Sequence, residues 1–227
     1  MGRYLGPKLR IVRRLGSLAG LTSKTPKMRI KTPGEHGQMI FEKEGRSSLR
    51  DDYKERLIEK QKLRFNYGIT EGQLVKYCEL SKKSCSFAGS KLLELLEARL
   101  DCIVHRLGFA VSIPSARQTI SHGHILVNGR PVNIPSFNCK KGDIISAADK
   151  PTSIILIETR VRLQLEANSA LEQRAKELSP ENEFFQVSLP SHLELSPTHV
   201  GRVLNAVNRE EVLAQVDDLK VLEYYSK

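Results

Sequence analysis

Between Arg99 and Ala147 the chain gathers Arg99, Arg106, Arg117, Gln118, His122, His124, Asn128, Gly129, Arg130, Lys140 and Lys141. Guanidinium and ammonium groups at this density suit phosphate, while amide and imidazole donors suit ribose and base edges. Covalent chemistry has little support. The sequence holds no G-x-S-x-G elbow, Walker loop, G-x-G-x-x-G or H-E-x-x-H. His122 and His124 flank Gly123 without a third ligand, so they read as phosphate or ribose contacts or as structural donors rather than as a metal site. A phosphate-docking surface is the expected chemistry, with no cofactor and no catalytic residue.

The elements that must carry these groups follow from spacing. Leu92, Leu93, Leu96, Leu100, Ile103, Val104 and Leu107 recur at helical spacing before Gly108, predicting one helix. Arg99 and Arg106, seven positions apart, would then share a face of it. Pro114 fits the first turn of a second helix through Ser121, stopped by Gly123. Arg117 and Gln118 would lie early on that helix, where free amides favour phosphate. Ile125–Val127, Asn128-Gly129 and Arg130–Val132 read as strand, tight turn and returning strand, and Asp143–Ser146 as a strand closing a small sheet. Reversing Arg117 to Glu is expected to weaken binding with the fold intact. The alternative for Arg99 and Arg106 is pairing with a carboxylate of their own chain such as Asp101.

Upstream, Asp51 and Asp52 read as caps of a helix through Phe65, with Gly68 as its stop. Thr70–Gln73 reads as a capping box that opens a short helix. Downstream, Thr152–Leu178 is helical in pattern and acidic. A helix over His199–Gln215 and a strand over Val221–Tyr225 complete the expectation.

Charge over the 227 residues is asymmetric, and the net is +10. Residues 1–50 hold 12 Lys and Arg against 3 Glu, whereas 151–227 hold 8 against 12 acidic residues. A polyanionic partner is the natural reading, and nucleic acid is the leading one. The basic first segment has seven glycines and no sustained hydrophobic period, so it reads as an arm that orders on phosphates, with one short helix possible around Ile11, Val12 and Leu15. Cys78, Cys85, Cys102 and Cys139 form no C-x-x-C pair and read as reduced thiols, mostly buried. No apolar run is long enough to span a bilayer, and the glycines and Pro7 break any amphipathic targeting helix at the start.

Arg99-Leu-Asp, His105-Arg-Leu-Gly108, Ala116-Arg-Gln118 and His122-Gly-His-Ile-Leu-Val-Asn-Gly-Arg130 resemble the S4 RNA-binding motif. The opening MGRYLGPKLRIVRRLG, the segment LIEKQKLRFNYGITEGQL and the ending DLKVLEYYSK resemble the small-subunit ribosomal protein S4 family. The resemblance implies an α+β protein: a helical domain with an inserted S4-type domain of two helices and a small antiparallel sheet, preceded by a basic extended arm. The domains implied are 1–50 for the arm, 51–90 for the helical domain completed by 190–227, 91–150 for the S4 domain, and an acidic helical insertion at 151–189. That insertion is expected to face solvent or another protein.

Function is implied with the fold. Members bind 16S-type rRNA, help to nucleate small-subunit assembly, border the channel through which mRNA enters, contact protein S5 and influence decoding accuracy. Carried over, Arg3, Tyr4, Arg10, Arg13 and Arg14 would contact rRNA from the arm, and Lys62, Arg64 and Tyr67 from the helical domain. The motif residues Arg99, Arg106, Arg117, Gln118, His122, His124, Asn128 and Arg130 would do so from the S4 domain. The four-cysteine zinc cluster of some bacterial members has no counterpart, because the first cysteine is Cys78. RRLGSLAGLTSK and EYYSK look most like plastid or cyanobacterial members, implying a chloroplast ribosome or, alternatively, the cyanobacterial cytoplasm.

Overall fold

Contacts divide the chain into two units, Met1–Glu97 with Val212–Lys227, and Ala98–Glu211. The structure, a computed structural model, describes residues 4–24, 26, 32–34, 49–84, 87–177, 189–196 and 199–226. Among these residues eight α-helices accompany one antiparallel sheet, an α+β architecture.

The first unit is helical. It holds α1 (Lys8–Leu15), α2 (Leu49–Asn66), α3 (Glu71–Lys82), α4 (Ala88–Glu97) and α8 (Asp218–Tyr224). Asp51 and Asp52, expected as caps, lie inside the first turn of α2. At the start of α3 the Thr70 amide donates to Gln73 Oε1 at 3.1 Å, the backbone half of the expected capping box. The basic segment is no bare arm over its described part. Ile11, Leu15, Leu18 and Leu21 are buried in one cluster with Ile58 and Phe65 of α2. A short amphipathic turn can do this because its partner face is supplied by a distant helix, which local hydrophobic period does not report.

The second unit begins with α5 (Leu100–Arg106) and α6 (Ile113–Ser121), followed by β1 (Ile125–Val127), β2 (Arg130–Pro131) and β3 (Ile144–Ala147). Then come α7 (Pro151–Glu177), β4 (Leu193–Leu195), β5 (Gly201–Val203) and a 3-10 turn at Arg209–Glu211. The strand order is β2-β1-β3-β5-β4. Ile125, Val127, Ile145, Leu193 and Val203 point to a core shared with Leu100, Ile103, Val104, Phe109, Ile120, Ile157 and Val161. The outward face carries Leu126, Ser146, Ile144 and Arg202, by the registers Leu126↔Ser146 and Ile144↔Arg202.

Four expectations are corrected. The single helix through Leu92–Leu107 is two, α4 and α5, because the loop at 135–139 takes the backbone bonds at the junction. Leu100 N–H donates to Phe137 O at 2.8 Å and Asp101 N–H to Pro135 O at 3.1 Å, while Ala98 O accepts from Cys139 N–H at 2.9 Å. Apolar spacing runs unbroken across the break, so period alone hides it. Residues 199–215 form β5 and a 3-10 turn rather than a helix. There Gly201 lets the backbone pass against the Leu107 methyls, where a Cβ would clash. Val221–Tyr225 is helical, since Asp217 Oδ1 caps α8 by accepting from Leu219 N–H at 3.1 Å. Residues 193–203 extend the sheet, so the return to the helical unit begins at Val212, not 190. The first turns of the acidic helix are anchored by Ser153, Ile157 and Val161, which are buried. Residues 178–188 lie outside the described residues.

Candidate nucleic-acid interface

Asp101 organises the arginines that the sequence singled out. Its carboxylate is fully buried and accepts from Arg99 Nε at 3.0 Å and Nη2 at 2.8 Å, and from Arg117 Nε at 2.8 Å. Arg99 is sealed at 3% side-chain exposure, whereas Arg117 keeps 15%. Arg99 stands at the N-cap of α5, not on one helix face with Arg106. Arg106 is buried too, donating through Nη2 to the Glu211 carbonyl. The carboxylate pairing considered as the alternative is what Arg99 displays, while Arg106 is turned inward onto a backbone carbonyl. Of the three, Arg117 is the half-buried one. Gln118 beside it is exposed.

A second group forms at the hairpin end of the sheet. Asn128 at φ 51° and Gly129 at φ 74° occupy a type I′ turn, whose positive φ values favour these two residues. The Asn128 amide locks the neighbouring loop: Nδ2 donates to Asp143 Oδ1 at 2.9 Å and Oδ1 accepts from Ile144 N–H at 2.9 Å. Asp143 Oδ2 accepts from Lys140 N–H at 2.7 Å. Gly142 N–H reaches Val203 O at 2.8 Å, and Lys141 Nζ donates to Asn205 Oδ1 at 2.9 Å. Gly129, Arg130, Lys140 and Lys141 are therefore exposed on turns fixed by the protein's own bonds. Arg202 and Asn205 join this end of the sheet, and sequence reasoning missed both because β5 was read as helix. The available signal was the period-two run Gly201-Arg202-Val203, a charged residue between two that can face a core.

The histidines sit at the other end of β1. Their rings lie 6.1 Å apart between centroids, and His124 Nδ1 is 2.8 Å from Ser153 Oγ. Burial first, then His122, Lys150 and Arg160, push the His124 imidazole below its ordinary range, so it serves at neutral pH as an uncharged hydrogen-bonding group. His122 is exposed. No group of three or more His, Cys, Asp and Glu side chains suited to a metal gathers among the described residues.

In the helical unit the expected contacts separate by exposure. Arg10 and Arg14 stand exposed on α1, with Arg13 half-buried between them. Tyr4 packs edge-on against Phe65 at 5.6 Å, and the Arg64 guanidinium lies 5.2 Å from the same ring. Lys62 donates to Glu59 at 2.6 Å and remains half-buried on α2. Tyr67 is corrected: its side chain is fully buried and its hydroxyl donates to Glu97 Oε1 at 2.5 Å, so it positions α2 instead of meeting a partner. Arg3 lies outside the described residues. The thiols are inert by environment. Burial pushes Cys78 up to about 11 and Cys139 up to about 12, and Cys102 is buried as well. Cys85 lies outside the described residues. No helix of the described residues is long and apolar enough to cross a membrane.

Residues 3–97 match the Ribosomal protein S4/S9 N-terminal domain, and residues 98–145 match the S4 domain. The two matches meet where the structure divides its units. The chain is 48% identical over 228 aligned residues to the small ribosomal subunit protein uS4 of Thermosynechococcus vestitus, covering 100% of this chain and 99% of that one. It is 46% identical to the uS4 protein of Synechocystis over the same shares. It is 44% identical to the small ribosomal subunit protein uS4c of Cyanophora paradoxa, over 100% of both chains.

Proposed function

The chain belongs to the uS4 family of small ribosomal subunit proteins, and from that premise we propose that it binds 16S-type rRNA directly through cations displayed on preformed turns. It is a structural ribosomal protein, not an enzyme. The observation that carries the reading is the hairpin end of the sheet. Arg130, Lys140 and Lys141 stand in solvent there while Asn128, Asp143 and Val203 hold their backbones. Side chains fixed in advance lose little further backbone freedom when they meet phosphate, and each phosphate neutralised releases condensed counterions. Arg117, Gln118 and His122 extend the surface along α6, with Arg10, Arg14, Tyr4 and Arg64 as a second set on the helical unit. Arg99, Arg106 and Tyr67 act behind these surfaces by holding them in shape, while Asn128, exposed at the turn, and half-buried His124 both hold the shape and line the surface.

Binding of this kind fits an early assembly role, because shape and backbone recognition requires folded rRNA rather than other proteins. The wider placement rests on family resemblance: beside protein S5 and other small-subunit proteins, bordering the channel through which mRNA enters, with an influence on decoding accuracy. The cyanobacterial and Cyanophora relatives fit either a chloroplast ribosome or a cyanobacterial one.

Equilibrium binding of the full chain to small-subunit rRNA tests the reading. The triple variant R130E/K140E/K141E should keep its native circular dichroism, bind at least tenfold more weakly and show a flatter salt dependence, by about 0.7–0.9 in log–log slope per lost phosphate contact. Unchanged affinity and slope in a folded triple variant would remove this surface from the interface.

A further inference from the structure

The loop between β2 and β3 carries an apolar feature that the cation surface does not use. Ile134 and Phe137 are 57% and 38% exposed, and Phe137 N–H donates to Ile134 O at 3.1 Å. That bond closes a β-turn Ile134-Pro135-Ser136-Phe137, with proline at its second position and its ends less than about 7 Å apart. The two exposed apolar residues therefore sit at the adjoining ends of one turn. The turn is anchored on α5: Pro135 O and Phe137 O take the Asp101 and Leu100 amides, Asn138 bridges Arg99, and Cys139 N–H reaches Ala98 O. Asp101 and Arg99 are themselves locked in the buried ion cluster. An aromatic ring is thus held out on a turn whose backbone is tied to a buried helix start.

We propose that this turn is a stacking platform for one unpaired base of the rRNA, a proposal that rests on the rRNA-binding reading above. Single exposed apolar residues need no account, but a pinned pair on one turn does. The charge around it selects the partner. Lys140 lies three residues from Phe137, and Arg130 four from Ile134, so both cations are within about 14 Å of chain of the platform. The nearby carboxylates are already engaged: Asp143 by Asn128 and the Lys140 amide, Asp101 by Arg99 and Arg117. An apolar face rimmed by available positive charge and polar Asn133, Ser136 and Asn138 fits a nucleotide, whose base offers a π-face and whose phosphate offers the anion. Sequence-specific RNA recognition commonly works on such unstacked bases.

The test uses the full chain, small-subunit rRNA and a salt series with Phe137→Ala and Phe137→Tyr. Phe137→Ala should weaken binding about 5- to 150-fold with the salt slope unchanged, because stacking releases no counterions. Phe137→Tyr should restore the affinity. Chemical probing should show one unpaired base protected by the wild type and by Phe137→Tyr, and reactive with Phe137→Ala. Wild-type affinity and base protection in Phe137→Ala would overturn the proposal. So would a defect that emerges only when other small-subunit proteins are added, since that would make the turn a protein contact. Failure of the wild type itself to bind rRNA saturably would take down the broader reading as well, and so is distinguishable.

Discussion

At the scale of single residues, Asp101 ties Arg99 and Arg117 together. A carboxylate shared by Arg99 and Arg117 binds the start of α5 to α6 and spends most of two cations internally. Asp101→Asn should therefore destabilise the protein by about 3–5 kcal/mol, read by chemical denaturation, because buried guanidinium charge is left without its counter-ion. Arg117→Glu, expected from sequence to spare the fold, should instead lower the melting temperature, since it sets a second carboxylate against a buried one. A variant that melts like the wild type would show that Arg117 is not coupled to Asp101 in solution. Sequence made Arg99 and Arg117 visible as a pair of cations. Pairing of Arg99 with Asp101 was legible as an alternative but could not be decided from sequence, because side-chain burial depends on the loop at 135–139 arriving from elsewhere in the chain.

At the scale of elements, local signals succeeded where they were self-contained. The hairpin was legible because Asn128-Gly129 encodes its own turn, and Asn128→Val should cost about 1–3 kcal/mol by forcing a β-branched residue to φ near +51° while deleting the lock on Asp143. A smaller loss would mean that the turn relaxes. The α4–α5 break, β5 and α8 were not legible. Unbroken leucine spacing concealed the first, a helix-like apolar spacing concealed the second, and Val221, Tyr224 and Tyr225 gave a strand-like composition to the third. The α8 contacts also set a pH response. Burial works to raise the Glu71 carboxyl, but the Tyr225 hydroxyl at 2.5 Å and Lys60 at 2.9 Å outweigh it and hold the group below its usual range. A carboxylate depressed in the folded state contributes stability above its unfolded pKa of about 4.3 and loses it as pH falls through the folded value. Glu71→Gln should thus be less stable at neutral pH and lose less on acidification. Parallel acid limbs would sink this assignment.

At the scale of the whole molecule, the exposed cations are carried on two surfaces with different supports. The basic N-terminal segment is partly a folded element, since α1 and the turn after it bury Ile11, Leu15, Leu18 and Leu21. Leu15→Ala should cost about 2–5 kcal/mol in the helical unit, where a solvated tail would lose nothing measurable. The S4-domain unit presents its cations on turns that need no RNA to hold them. On the proposed reading these preformed surfaces recognise folded rRNA by shape and backbone. Hydroxyl-radical footprinting of the full-length protein on small-subunit rRNA, repeated across a salt series, tests it most directly. The account predicts a compact protected region at a multi-helix junction, retained at each salt once the protein concentration is raised to saturation. Diffuse protection that fades evenly along the RNA as salt rises would contradict it.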